Sequence, residues 1–253
     1  MTHKLRLPLL VAIVAVSISV RILAGQSGKP ALNQLTPNQL TNDERKAGWS
    51  LLFDGQSLEG WRGYKQPDAS KTRWHVENGI LTLTPNDGKD TRGARDIISK
   101  ATFDRFELTW EWQIALGGNS GLKYFVLEDM DSAIGHEYQI IDDERHPDAK
   151  VGPKRQTAAL YDVLAATDRP LKPATEWNQS RIVVRGPSVE HWLNGKRVLQ
   201  YDLDSPALRT AIAASKFKDV ARFGKLQNGH ILLQDHGNQV SYRNIKIRRL
   251  GTS

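Results

Sequence analysis

The run His136-Glu137-Tyr138-Gln139-Ile140-Ile141-Asp142-Asp143-Glu144-Arg145-His146 gathers two histidines, two glutamates, two aspartates and a glutamine around a short apolar stretch. A strand that only holds a sheet together has little use for so many titratable groups. Proton transfer, metal binding and the grip of a polyhydroxylated ligand all need them. Far along the chain a second dense segment follows, Gln234-Asp235-His236-Gly237, with Arg243-Asn244 after it. Whether the two segments meet in space decides what the chain can do.

Strand parity limits the options. Glu137, Gln139 and Ile141 share one face of a flat strand, and Asp142 falls on the other. A bulge at the isoleucines would return Asp142 to the face of Glu137 and Gln139. That arrangement is similar to the acidic strand of β-sandwich retaining glycosidases, with Gln139 in place of the central acid. Such enzymes work with two carboxyl groups about 5 Å apart, so Gln139 weighs against a conventional glycoside hydrolase. His146, near Asp142 and Asp143, has three readings: general base, ligand of a divalent metal ion together with those aspartates, or surface residue. Lys123 follows the turn Gly118-Asn119-Ser120-Gly121. On a concave face it would stabilise a developing oxyanion; otherwise it is a solvated strand lysine. Asp235 could equally cap turn amides. His191 lies on the apolar parity of Val189 and Leu193 and reads as a core histidine. Trp110 and Trp112 fit a core face. Trp61, Trp177 and Trp192 are candidates for stacking on sugar rings or for ordinary packing.

The elements that would position these groups are short strands. Trp74 to Leu83 reads as a hairpin around Asn78-Gly79, a favoured two-residue turn. Phe106, Leu108, Trp110, Trp112 and Ile114 alternate with polar residues, so one face is buried and the other wet. A further hairpin turns at Asn194-Gly195. Val240 and Tyr242 have one parity and Ile245 and Ile247 the opposite, which predicts a bulge across Arg243-Asn244. Helical signal is sparse, with one short helix expected within 206–219. Many short strands without a βαβ rhythm predict an all-β, antiparallel two-sheet sandwich.

Residues 1–24 have a basic start (Lys4, Arg6), an apolar run from Leu7 to Val20 and a small-residue region at Ala24-Gly25, which reads as a cleaved export signal. The expected location is periplasmic or secreted, without stable membrane insertion after cleavage. Residues 25–47, rich in Gln, Asn, Pro and Thr, read as a flexible tether, and 48–253 as a single catalytic domain. The net charge of +7 falls to +4 without Lys4, Arg6 and Arg21, since residues 1–24 hold no acid. Scattered mild charge gives no case for nucleic acid. The absence of cysteine excludes disulfides, thiolate zinc sites and cysteine nucleophiles.

The motifs Leu52-Phe53-Asp54-Gly55, Leu58-Glu59-Gly60-Trp61, Gly118-Asn119-Ser120-Gly121, Glu137-Tyr138-Gln139-Ile140 with Asp142-Asp143, Leu160-Tyr161, Glu176-Trp177-Asn178, Leu193-Asn194-Gly195, Leu233-Gln234-Asp235-His236-Gly237 and Tyr242-Arg243-Asn244-Ile245 occur in that order. Together they resemble the 3-keto-disaccharide hydrolase domain family, also described as 3-keto-glucoside 1,2-lyases and hydratases, over residues 48 to 250. Ala158-Ala159 departs from the family's pattern, where many members carry a glycine. The resemblance implies a concanavalin-like jelly roll, a bacterial exported protein and a small saccharide or glycoside substrate. It also implies the reaction. A ketone at C3 acidifies the hydrogen at C2; a base removes it, and the enolate expels the C1 substituent. On this view Glu137 and His146 share the acid and base roles, and Lys123 or a divalent metal ion polarises the ketone, with Asp142, Asp143 and His146 as candidate ligands. Asn119, Gln139, Asp143, Tyr161, Trp177, Gln234, His236 and Arg243 would hold substrate. The competing readings are a non-catalytic carbohydrate-binding module on the same architecture and a conventional glycoside hydrolase.

Overall fold

A computed structural model describes Met1, residues 37–86 and residues 95–251. The expected signal at 1–24 and most of the tether at 25–47 lie outside the described residues. Chain contacts separate two units, Met1–Gln34 and Leu35–Ser253, and everything below concerns the second. Among the described residues no helix is long and apolar enough to cross a membrane.

In chain order the strands are β1 (Ser50–Leu51), β2 (Trp61–Gly63), β3 (Trp74–Glu77), β4 (Ile80–Leu83), β5 (Ile97–Phe103), β6 (Phe106–Ile114), β7 (Asn119–Val126), β8 (His136–Ile141), β9 (Asn178–Arg185), β10 (Ser188–Leu193), β11 (Lys196–Asp202), β12 (Gly229–Leu233) and β13 (Val240–Arg249). Among the described residues the α-helices are short: α1 (Asn42–Lys46) ahead of β1, α2 (Pro147–Lys150) and α3 (Pro206–Ala213) between strands. Among the described residues one sheet runs β11-β10-β9-β6-β13-β4-β3, with β1 on β13, and the other runs β2-β5-β12-β7-β8. All the pairings are antiparallel. The result is a concanavalin-like jelly-roll sandwich.

Period two explains the core. On β6, Leu108, Trp110 and Trp112 are buried while Thr109, Glu111 and Gln113 are less so. They meet Leu122 and Tyr124 of β7 and Tyr138 and Ile140 of β8, all buried in one hydrophobic cluster. Trp110 and Tyr138 make an edge-on contact between the sheets, 5.0 Å between ring centres. Each large apolar side chain buried this way contributes roughly 1.5–3 kcal/mol. The hairpins at Asn78-Gly79 and Asn194-Gly195 form as expected, with both central residues of each turn at positive φ. The expected bulge is also present: the β13–β6 register shifts between Arg243 and Lys246, and Asn244 has φ 53°.

Two expectations are corrected. The tether is not free along its whole length. Thr41 and Glu44 cap α1 reciprocally, and buried Asn38 exchanges backbone-to-side-chain hydrogen bonds with Asn244 at 2.6 and 2.8 Å. Packed structure therefore begins ahead of Gly48. Nor does β8 bulge at its isoleucines, for its register with β7 runs unbroken from Tyr124↔His136 to Asn119↔Ile141. Asp142 leaves the strand instead of rejoining the face of Glu137.

The outer edge of β8 is covered by the segment that follows α2. Ala158 N–H donates to the Gln139 carbonyl at 2.9 Å, and Tyr161 N–H to the Glu137 carbonyl at 3.1 Å. Ala158 sits at φ 68°, a left-handed conformation that glycine adopts without strain. That is the physical content of the glycine expected near this position.

Candidate active site

The two dense segments meet on the outer face of the five-stranded sheet. β7 pairs with β8 so that Lys123 stands opposite Glu137, and with β12 so that Lys123 stands opposite Leu232. Gln234 N–H donates to the Gly121 carbonyl at 3.0 Å, extending that ladder past the end of β12. Gly121 leaves room for both neighbours. A Cβ there would lie 2.8 Å from Glu137 Oε1 and 3.1 Å from Gln234 Oε1. Gln234 Oε1 is buried and has no hydrogen-bond partner.

A cleft of about 450 Å³ opens on this face, lined by Asp96, Lys123, Glu137, Lys216 and Phe217 together with the 132–135 loop. Glu137 is 4% exposed, and its Oε2 lies 3.7 Å from Lys123 Nζ. That ammonium also donates to the Ala133 carbonyl at 3.1 Å. Asp96 receives the Asp235 N–H on Oδ1 at 2.8 Å. Burial pushes the Asp96 carboxyl pKa up against the pull of Lys123, and the neighbouring Asp235 and Glu137 charges add to the rise. His236 stands close enough for Glu137, Lys123, Asp96 and His146 all to act on it. His236 is exposed as a residue; partial burial lowers its pKa, against the pull of Glu137.

Asp235 sets the turn that carries His236. Its Oδ1 accepts Gly237 N–H at 2.8 Å and Arg73 Nη2 at 2.5 Å, and its Oδ2 accepts Arg95 N–H at 3.0 Å. The capping role open to it in the sequence is therefore real, and it serves to place His236.

The cleft walls are tied to the core by a directional chain. Gly224 N–H donates to His136 Nε2 at 3.0 Å, which leaves the proton of a neutral ring on Nδ1. His136 Nδ1 meets Tyr201 at 2.8 Å, Tyr201 meets Tyr124 at 2.5 Å, Tyr124 meets His191 Nε2 at 2.9 Å, and His191 Nδ1 meets the Ala158 carbonyl at 2.9 Å. Every member is buried, and each link has one donor and one acceptor when both histidines are neutral. The chain joins the loop after α3 to the segment covering β8. His191 is thus the satisfied core histidine expected of it, and His136 is another.

Other residues singled out in the sequence have different work. Gln139 is fully buried, with Nε2 directed at the Arg155 carbonyl at 3.4 Å, beneath the covering segment and away from the cleft. Asp142 accepts N–H groups of Gly117 and Glu144 at 2.8 and 3.0 Å. Asp143 holds Thr157 and Arg169. With those lone pairs taken, the two aspartates do not fit a metal site with His146, and the described residues hold no cluster of three metal-ligating side chains. His146 caps α2, its Nδ1 accepting Asp148 N–H at 3.1 Å, and it does not line the cleft. Asn119 N–H is bound by Asn238 at 3.0 Å. Tyr161 donates to Asp148 at 2.8 Å, and Lys216 Nζ sits 4.1 Å above its ring. Arg243 and Trp177 are a correction. They stack on each other at 4.1 Å, Arg243 is bound to Glu111 at 2.7 Å, and β13 places the pair on the other sheet. Of the tryptophans offered for sugar stacking, Trp61 is buried and Trp192 lies under Arg181.

Residues 48–248 match the family model described as the 3-keto-alpha-glucoside-1,2-lyase-like domain. The chain belongs to this family. A 3-keto-disaccharide hydrolase of Bacteroides thetaiotaomicron is 35% identical over 229 residues, covering 80% of this chain and 79% of the relative. The crystal structure of a candidate glycosyl hydrolase from Parabacteroides distasonis superposes with TM-score 0.76 at 29% identity, covering 85% of this chain and all of the other. A second from the same organism gives 0.60 at 26% identity, covering 80% and 99%. In this member of the 3-keto-α-glucoside 1,2-lyase-like family, two cleft residues carried no signal in the sequence. Asp96 is an isolated acid before a plain apolar strand. Lys216 is one of several lysines after α3. Only the fold brings them to Glu137.

Proposed function

We propose that this chain is a carbohydrate-processing enzyme that cleaves 3-keto-glycosides by removing the C2 proton and eliminating the C1 substituent. The observation that carries the reading is the convergence of Glu137, Asp96 and Lys123 at one cleft, with His236 near enough to feel all three charges, on a chain of this family. Glu137 is the base: its carboxylate is buried, paired on one oxygen with Lys123, and free on the other toward Gln234. Asp96 is the proton donor to the leaving oxygen, because burial and neighbouring carboxylates make it hold its proton more tightly than an ordinary aspartate. A carboxyl group that holds its proton beside a separate base is one way a site runs acid and base chemistry together. Acid–base groups of this kind typically contribute about 10² to 10⁴-fold each. His236 binds a sugar hydroxyl. We also infer export to the periplasm or beyond, from the basic start and apolar run of residues 1–24; amino-terminal sequencing of the protein recovered from cell-envelope fractions tests it.

Conventional glycoside hydrolases also work with two carboxyl groups at one cleft, so the assay must include both sugars. Purified protein is incubated with a 3-keto glucoside and with its unoxidised parent. Release from the keto sugar alone, abolished in Glu137→Gln, supports elimination. Release from the parent supports hydrolysis, and binding without release from either supports a carbohydrate-binding module.

A further inference from the structure

Resting on that reading, we propose that Lys216, and not Lys123, is the cation that receives the ketone oxygen as it becomes an enolate. The two lysines line the same cleft, but their ammonium groups are differently placed. Lys123 is engaged by the Ala133 carbonyl at 3.1 Å and Glu137 at 3.7 Å. Its task is to hold the base. The Lys216 ammonium has no hydrogen-bond acceptor among the described residues. It lies over two ring faces, 4.1 Å from the centre of Tyr161 and 5.0 Å from that of Phe217, within reach of the charges of Glu137 and Asp162. All three of its N–H donors are therefore available to a ligand oxygen.

The position is rigid although it lies on a loop. Lys216 N–H donates to Asp162 Oδ2 at 2.8 Å, and Phe217 N–H to Ser215 Oγ at 3.1 Å. Phe217 stacks on Phe223 at 4.2 Å, Phe223 lies 4.6 Å from His136, and Gly224 is bonded to that histidine. Preorganised charge aimed at a developing oxyanion is the most effective electrostatic device available to a site. Lys216 is exposed as a residue, and partial burial at the cleft lowers its pKa, against the pull of Glu137 and with the help of Lys123.

The step balances as follows. Glu137 takes the C2 proton, the C–H electron pair forms a C2–C3 double bond, and the carbonyl pair moves onto oxygen, where Lys216 donates a hydrogen bond. The carbonyl then reforms, a C1–C2 double bond appears, and the C1–O bond breaks with its pair leaving on the oxygen, which takes a proton from Asp96.

Steady-state kinetics on a chromogenic 3-keto glucoside test this, with calorimetric affinity for the unoxidised parent glucoside. Lys216→Met keeps the stem over Tyr161 and removes the charge. It is expected to lower kcat by about 10²–10³-fold, leave KM and parent affinity within about threefold, and recover part of kcat in Lys216→Arg. Such a split belongs to a group that acts on the ketone only in the transition state. Wild-type protein that cleaves the keto sugar, with Lys216→Met just as fast, overturns the role of Lys216 alone. The same holds if kcat is kept while KM and parent affinity both collapse. Wild-type protein that leaves the keto sugar intact overturns the reaction class and this role together. An unchanged circular dichroism spectrum and thermal midpoint confirm folding, and Lys216→Gln replaces the methionine variant if they change.

Discussion

Glu137 and Gln234 face each other across Gly121, whose missing side chain leaves the space in which their Oε1 atoms sit. A methyl group at that position would stand 2.8 Å from the carboxylate oxygen and 3.0 Å from Glu137 Cγ. These are ends of side chains rather than backbone, so they can turn aside. Gly121→Ala should therefore fold with a thermal midpoint within a few degrees of wild type, yet lose activity at least tenfold, because a displacement of about 1 Å at a reacting group costs up to about 10² in rate. A variant with full kcat would show that the Glu137 carboxylate does not need its present place.

Removing the carboxylate charge is the direct test of the base. Glu137→Gln keeps the shape and leaves Lys123 its bond to the Ala133 carbonyl. Loss of about 10²–10⁴-fold in kcat on the keto sugar is expected, with the fold intact by circular dichroism. Residual turnover above a tenth of wild type would move the role to His236.

The buried histidines make stability depend on pH. Burial holds His136 near pKa 3 and His191 near 4, against an ordinary value of 6.5. Above pH 6.5 both are neutral, folded or unfolded, and the chain of hydrogen bonds from Gly224 to Ala158 is complete. Below it the unfolded chain takes up protons that the folded protein refuses, so stability falls as pH falls, by up to about 1.4 kcal/mol per pH unit for each histidine. The loss spans roughly pH 6.5 to 4 for His191 and 6.5 to 3 for His136, and its upper part lies above the range where carboxylates titrate. Urea midpoints at pH 7, 6 and 5 should drop in sequence. Equal midpoints at all three would contradict the neutral assignment.

Arg73 and Asp235 form an ion pair with both side chains fully buried. Removing one charge from such a pair typically costs about 3–5 kcal/mol. Asp235→Asn should fall in that range by denaturant titration, and should also cut activity because Asp235 fixes the turn before His236. A change below about 1 kcal/mol would mean that the pair is solvated.

Much of this was legible beforehand, for identifiable reasons. Alternation on β6 and the Asn-Gly turns are local signals, and the parity switch at Arg243-Asn244 marks a real bulge because only an extra residue reverses alternation. The convergence of Glu137 with Gln234 and His236 was readable as a question and is answered by register. Roles at element ends were not readable. Asp142, Asp143 and His146 look like a chemical cluster in sequence, yet Asp142 and His146 are consumed by backbone N–H groups of the turn and cap beside them, and Asp143 by Thr157 and Arg169. Asp96 and Lys216 failed in the other direction. They have no local pattern and acquire significance only from strands paired across long separations.

Arg243 and Trp177 separate the two faces experimentally. Both face away from the other sheet, stacked on each other at 4.1 Å with Arg243 held by Glu111. A partly exposed pair of this kind contributes roughly 0.5–1 kcal/mol by cation–π attraction, and the Glu111 bond up to about 1 kcal/mol. Arg243→Ala should thus lower the denaturation midpoint modestly while kcat and KM on the keto sugar stay within twofold. Trp177→Ala should do the same. If either substitution cut kcat/KM tenfold at unchanged stability, sugar recognition would have to extend to the larger sheet, and the cleft beside Glu137 could not be the whole site.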